Sequence, residues 1–122
     1  MKLLFDTHAL LWWDAGRLPA RVVRRVRAAD TVVVSAVTAW EIAIKAALGK
    51  IVVRGTVADV ISDYGFDELP ITISHAEAVR TLPLHHRDPF DRLLIAQAAA
   101  EGLTLLSADK ALSAYGVPLV WD

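Results

Sequence analysis

The chain has 122 residues, 55% of them hydrophobic, enough for a single well-packed domain over residues 1-122 and too few for two. Fourteen acids against thirteen Lys and Arg give a formal charge of -1, so bulk charge does not mark a nucleic-acid binder, and any polyanion must be held by a local patch. With no cysteine, a disulfide framework, a thiolate zinc site and a cysteine nucleophile are all excluded, and a reducing compartment is expected.

No apolar run approaches the ~20 residues that span a bilayer. The opening "MKLLFDTHALLWWD" meets Asp6 and His8 too early for the apolar core of a signal peptide. A cytoplasmic protein with no membrane contact is the expectation. In chain order, "KLLFD" reads as a buried strand ending in Asp6. "PARVVRRVRAA" sets Pro19 at a first helical position, with Arg17, Arg21, Arg24 and Arg25 expected on one side of that helix. "TVVVS" (31 to 35) is a second, β-branched strand, followed by the helix "AVTAWEIAIKAALG", which ends at Gly49. Short helices fit "VADVISDYG" and "SHAEAVRTL", with "FDELPI" as a brief extended piece between them. "PFDRLLIAQAAAEG" is a nearly all-apolar helix ending at Gly102, suited to a C′ glycine. "LTLLS" (103 to 107) and "PLVW" (118 to 121) complete the strands, the last starting at a proline as an edge allows. Strands alternating with helices predict an α/β fold, a three-layer α/β/α sandwich around a mostly parallel sheet.

In such sheets ligands bind in the crevice beyond the carboxyl ends of the strands. Asp6 ends the first strand and Asp109 follows "LTLLS" by two residues, so both reach that edge, although each could simply cap a helix. Glu41 lies about 40° from Val37 on its helix and borders the apolar stripe. A surface pair with Lys45 at i,i+4 is the plainer alternative, worth only ~0.2 to 0.5 kcal/mol. Asp88 before Pro89 reads as an N-cap, which makes Asp91 the N3 acid of a capping box. The apolar helix behind Asp91 must be buried, so its N-terminus opens into the crevice.

Asp6, Glu41, Asp91 and Asp109 brought to one edge would repel one another unless divalent cations lay between them. Carboxylates with water, and no Cys or His set, suit Mg2+ or Mn2+. Adjacent histidines on a loop point in different directions, so His85 and His86 read as surface or phosphate-contact residues rather than metal ligands. A carboxylate cluster of this kind serves phosphodiester chemistry. No Ser-His-Asp pattern or Gly-rich phosphate loop competes with it.

"LLFDTHALLWW", "VSAVTAWEIAIKAALGKI", "HHRDPFDRLLIAQA" and "LLSADKAL" together resemble, in order and spacing, the PIN-domain ribonucleases of the VapC toxin type, in a branch with the "RDPFDR" form. The similarity spans essentially the whole chain. It implies that Asp6, Glu41, Asp91 and Asp109 are the metal-binding and catalytic acids. Asp88 is then a supporting cap, and Ser107 stands where such proteins commonly carry Ser or Thr. The resemblance further implies an endoribonuclease requiring magnesium or manganese, an RNA substrate, a small cognate antitoxin, and a homodimer or toxin-antitoxin hetero-oligomer. Arg17, Arg21, Arg87 and Arg92 are candidate RNA contacts, with bases meeting Trp12 or Trp13. Solvated arginine faces and core or interface tryptophans are the plainer alternatives. Two rivals remain: a magnesium-binding phosphotransfer domain, receiver-like or phosphatase-like, and a non-enzymatic binding module whose acids only cap helices. The first would want paired acids or Asp-x-Asp where this chain has "DTH", and the second has no need of Glu41 in a crevice.

Overall fold

The apolar runs pair into a five-stranded parallel sheet in the computed structural model, which describes residues 1–121. Its strands are β1 (Lys2–Phe5), β2 (Thr31–Ser35), β3 (Asp67–Leu69), β4 (Thr104–Leu106) and β5 (Leu119–Val120), in the order β3-β2-β1-β4-β5. Each neighbouring pair is parallel, with Leu3 opposite Val32 and Leu4 opposite Leu105 in register. The parallel sheet and its helical covering bear out the fold class expected from the sequence.

Residue alternation splits the interior into two cores. Leu3, Phe5, Val34 and Leu106 face one side, against α1 (Thr7–Asp14) and α2 (Ala20–Ala28). Leu4, Val33 and Leu105 face the other, against α3 (Ala36–Ala47) and α6 (Pro89–Glu101). The connection from α3 to α6 contains α4 (Val57–Tyr64) and α5 (Ile73–Ala78), the latter running into a 3-10 turn at Val79–Thr81. A second 3-10 segment, Lys110–Tyr115, links β4 to β5.

Differences from the sequence reading are small and local. Pro19 is the N-cap of α2 rather than its first residue. Arg17 lies before that helix, in a turn where its amide donates to the Trp12 carbonyl at 2.8 Å, so it does not share the face of Arg21, Arg24 and Arg25. Gly102 closes α6 at φ +66°, the left-handed conformation that a side chain would oppose.

The strand order reverses at β1, which connects onward to β2 on one side and pairs with β4 on the other. The crevice at that switch point lies beyond the ends of β1, β2 and β4. The sequence places Asp6, the start of α3, and Ser107 to Asp109 at those three ends.

Candidate active site

Each acid at this edge is held by its own element. Asp6 follows β1 and caps α1, accepting the Ala9 amide at 2.7 Å through Oδ1. The Ser107 side chain also hydrogen-bonds to Asp6. Burial pushes the Asp6 carboxyl above its ordinary value, despite the Ser107 and Ala9 hydrogen bonds and the nearby His8, and Glu41 adds to the rise. Ser107 Oγ in turn accepts the Asp109 amide at 3.0 Å. One buried hydroxyl therefore ties Asp6 to the segment carrying Asp109, whose carboxylate caps the following 3-10 helix through Ala111 N at 3.0 Å.

Glu41 is buried, 3% exposed. Its Oε1 accepts from Thr7 Oγ1 at 2.6 Å and its Oε2 from Lys45 Nζ at 2.6 Å. The Lys45 pair considered from the sequence is thus present, but it is anchored at a buried carboxylate rather than lying on the surface. That hydrogen bond holds the Lys45 ammonium above its usual range.

Asp88 and Asp91 divide as cap and non-cap. Asp88 Oδ1 accepts the Phe90 amide at 2.8 Å and the Asp91 amide at 3.1 Å, with Pro89 at the first helical position. The expected reciprocal bond does not form. The Asp88 amide goes to His86 Nδ1 at 3.1 Å, so Asp91 is not engaged as a capping acid. Asp91 faces the crevice, where burial first, then Asp88, Asp6 and Glu41, push its carboxyl up to about 6, while His86 opposes the rise.

The two adjacent histidines point in different directions, as expected, and only His85 lies on the surface. His85 is exposed and packs edge-on against the Tyr115 ring at 5.1 Å. His86 turns inward, with Nε2 3.6 Å from Asp91 Oδ2 and 3.4 Å from Asp109 Oδ2. Among the described residues, His86, Asp91 and Asp109 bring ligand-type atoms within 4.8 Å of one another. The sequence signal available was its spacing of two from a capping aspartate, which lets a histidine accept that residue's amide.

Arg92, read from the sequence as an RNA contact, is turned the other way. Nη1 donates to Pro83 O at 2.9 Å and to Tyr115 Oη at 3.2 Å, and Nη2 donates to Val79 O at 3.2 Å and Leu82 O at 3.3 Å. A guanidinium with its donors directed at backbone carbonyls is a loop clamp. Arg87 is exposed beside it. Trp13 is also removed from any nucleic acid, since it packs with Phe5, Tyr64 and Phe66. Trp12, by contrast, lines a cleft with Asp6, His8 and Asp109.

The donor set is mainly carboxylate oxygens, with His86 beside them, and burial and their mutual proximity push the Asp6 and Asp91 carboxyls up. Such a set fits a hard divalent cation, because a cation offsets the repulsion and desolvation that otherwise hold protons on the acids.

A family profile described as PIN domain matches residues 3–118. The chain belongs to the PIN domain family. No curated protein sequence is similar enough to the chain to be matched. Among solved structures, this PIN domain is similar to VapBC2 from Rickettsia felis bound to a promoter DNA fragment, at 14% identity, 100% of both chains and a TM-score of 0.70. It is also similar to DNA-bound VapBC from Salmonella typhimurium, at 13% identity, 98% of this chain, 97% of that one and a TM-score of 0.70. FitAcB from Neisseria gonorrhoeae, at 21% identity, 98% and 96% coverage and a TM-score of 0.66, has the same fold. The PIN match covers the elements that carry all four acids, and it displaces the receiver-like and phosphatase-like alternatives.

Proposed function

We propose that this PIN domain is the toxin of a toxin-antitoxin pair, a single-domain cytoplasmic endoribonuclease dependent on Mg2+ or Mn2+, with Asp6, Glu41, Asp91 and Asp109 as its metal-binding and catalytic acids. The observation that carries the reading is the convergence of these carboxylates, from four elements, on the switch point of a PIN sheet. A bound Mg2+ or Mn2+ would activate a water and neutralise charge developing on the scissile phosphate. The chain's own residues fix the oxygens. Ala9 N–H and Ser107 orient Asp6, Thr7 and Lys45 orient Glu41, and Ala111 N–H orients Asp109. Asp88 fixes the N-terminus of α6 and so the place of Asp91.

RNA phosphates are proposed to meet the exposed Arg17, Arg21 and Arg87, with Trp12 in the cleft available to stack on a base. The partner is proposed to be a small antitoxin, with the toxin forming a homodimer or a toxin-antitoxin hetero-oligomer. Support for that partner comes from the complexes named for the similar structures and from an apolar groove lined by Leu10, Leu11, Ile42, Val53, Val57 and Val60. Calorimetry with Mn2+ and Mg2+, paired with an RNA cleavage assay, tests the site. Wild type should bind metal and cleave, and Asp6→Asn and Asp91→Asn should lose both. Unchanged binding and cleavage in the two variants overturns the assignment. Co-purification with the protein of the neighbouring gene, then sequencing of RNA ends after its release, tests the pairing and the substrate.

A further inference from the structure

Two clefts adjoin beside the acids. One is lined by Asp6, His8, Trp12 and Asp109, the other by Arg25, Ser107, Lys110 and Trp121, and Ala108 is common to both. The second begins where the acid site ends, because Ser107, which hydrogen-bonds to Asp6, is part of its lining. Its volume, about 630 Å³, falls in the range of small-ligand pockets. Trp12 from the first cleft and Trp121 from the second meet with ring centroids 5.8 Å apart and planes at 64°. A flat base laid on one ring of such a pair turns its edge to the other, which satisfies both favoured aromatic geometries at once. Trp12 is exposed, and Trp121 is half-buried against the core beneath α1 and α2, so the corner is held from behind and open in front. Among the described residues the charged groups lining the second cleft, Arg25 and Lys110, are both cationic, as a phosphate requires.

Resting on the metal-dependent endoribonuclease reading above, we propose that the second cleft is a nucleotide subsite: the base next to the scissile phosphate stacks in the Trp12–Trp121 corner, and the following phosphate lies against Lys110 and Arg25. A base enters that corner only with a free face, and a base inside a duplex has both faces covered by its neighbours in the stack. The subsite therefore selects RNA that is unpaired at the cut, in a loop or a single strand. It does so without reading base identity, because every base has a face to stack.

Digestion of total cellular RNA by the Mn2+-loaded chain, with sequencing of the new ends, should place the cuts in unpaired segments. Cuts inside continuous duplex overturn the subsite. A short RNA spanning one mapped cut is then compared with the same RNA carrying an abasic nucleotide on one side of the cut or the other. One of these two positions should raise KM about 5- to 150-fold for wild type, the cost of one base–aromatic stack. The same change should leave the KM of Trp121→Ala unaltered, since that variant has no stack to lose. Trp121→Phe keeps a ring and should still discriminate, so the comparison decides even where Trp121→Ala fails to fold. Equal KM values for the intact and both abasic RNAs in wild type overturn the subsite and leave the nuclease standing. Lys110→Gln should lower the slope of log KM against log salt by about 0.7, the share of one single-strand phosphate contact, and an unchanged slope overturns the placing of that phosphate. Titration with Mn2+ should give Trp121→Ala the affinity of wild type; a loss there means that the ring shapes the metal site instead of holding a base. Absence of RNA cleavage by wild type overturns both proposals, and places the fault in the nuclease reading.

Discussion

Burial pushes the Asp91 carboxyl up to about 6 from an ordinary 3.8, with Asp88, Asp6 and Glu41 adding to the rise. The direction sets a pH dependence. A carboxyl whose folded value is raised favours the folded chain when protonated, so its contribution is present at low pH and is lost as pH rises from 3.8 through about 6. In chelator, wild type should therefore lose stability relative to Asp91→Asn between about pH 4 and 7, because the amide has no proton to release. A constant difference in melting temperature across that range would remove the claim that Asp91 is buried among other acids. Metal has the opposite slope: it requires the ionised carboxylate, so Mn2+ affinity should rise with pH through about 6 and binding should release protons. The neighbouring Asp88 is legible from sequence as a cap because Asp-Pro sets both the capping oxygen and the first helical residue. The role of Asp91 is not legible at that range, since an N3 acid looks the same whether or not it returns the capping bond.

Helix α6 delivers Asp91, and its N-terminus is built to hold still. Asp88 satisfies two of the amides that every helix leaves unpaired at its start. Asp88→Ala should cost about 0.5 to 2 kcal/mol in denaturant or thermal unfolding, with Asp88→Ser tolerated and its cleavage retained. A Ser variant that folds and binds metal but does not cleave would mean that Asp88 acts in chemistry rather than as a cap. Further along α6, the fully buried Gln97 joins the helix to the rest of the site. Its Oε1 accepts from Ser35 Oγ, the side chain that caps α3, and its Nε2 donates to Pro70 O at 3.2 Å and lies 3.3 Å from His75 Nδ1. The helices bearing Glu41 and Asp91 are thus coupled by a satisfied buried network, which is costly to disturb because an unpaired polar group inside the fold forfeits its solvation. Neither Gln97 nor His75 stands out in the sequence. A glutamine within an apolar helix announces burial, but its partners lie 62 and 22 residues away.

For the protein as a whole, the proposed metal site should make the fold's stability depend on what fills the crevice. Lys45 and Thr7 already satisfy Glu41 without metal, so Glu41→Gln should be destabilised in chelator, by roughly 1 to 3 kcal/mol for a lost charged hydrogen bond. Added Mn2+ should stabilise wild type by mass action and the variant much less. Equal metal-induced shifts in melting temperature would remove Glu41 from the ligand set. The parallel sheet and most helix ends follow from local pattern alone: continuous aliphatic strands, apolar helical stripes, Asp-Pro and a terminal Gly102 act through neighbours in the chain. Asp6 and Asp109 could be placed at the crevice from strand ends, because the end of a strand in a parallel sheet has a fixed destination. Distance in space without proximity in sequence decided the rest. Arg92 became a clamp because the carbonyls of residues 79 to 86 fold back over it, and Trp13 went into an aromatic cluster because Tyr64 and Phe66 return beside it. His86 turned inward because the Asp88 amide and Tyr115 hold it between two carboxylates. Such contacts depend on where loops close, and a periodic pattern carries no information about closure.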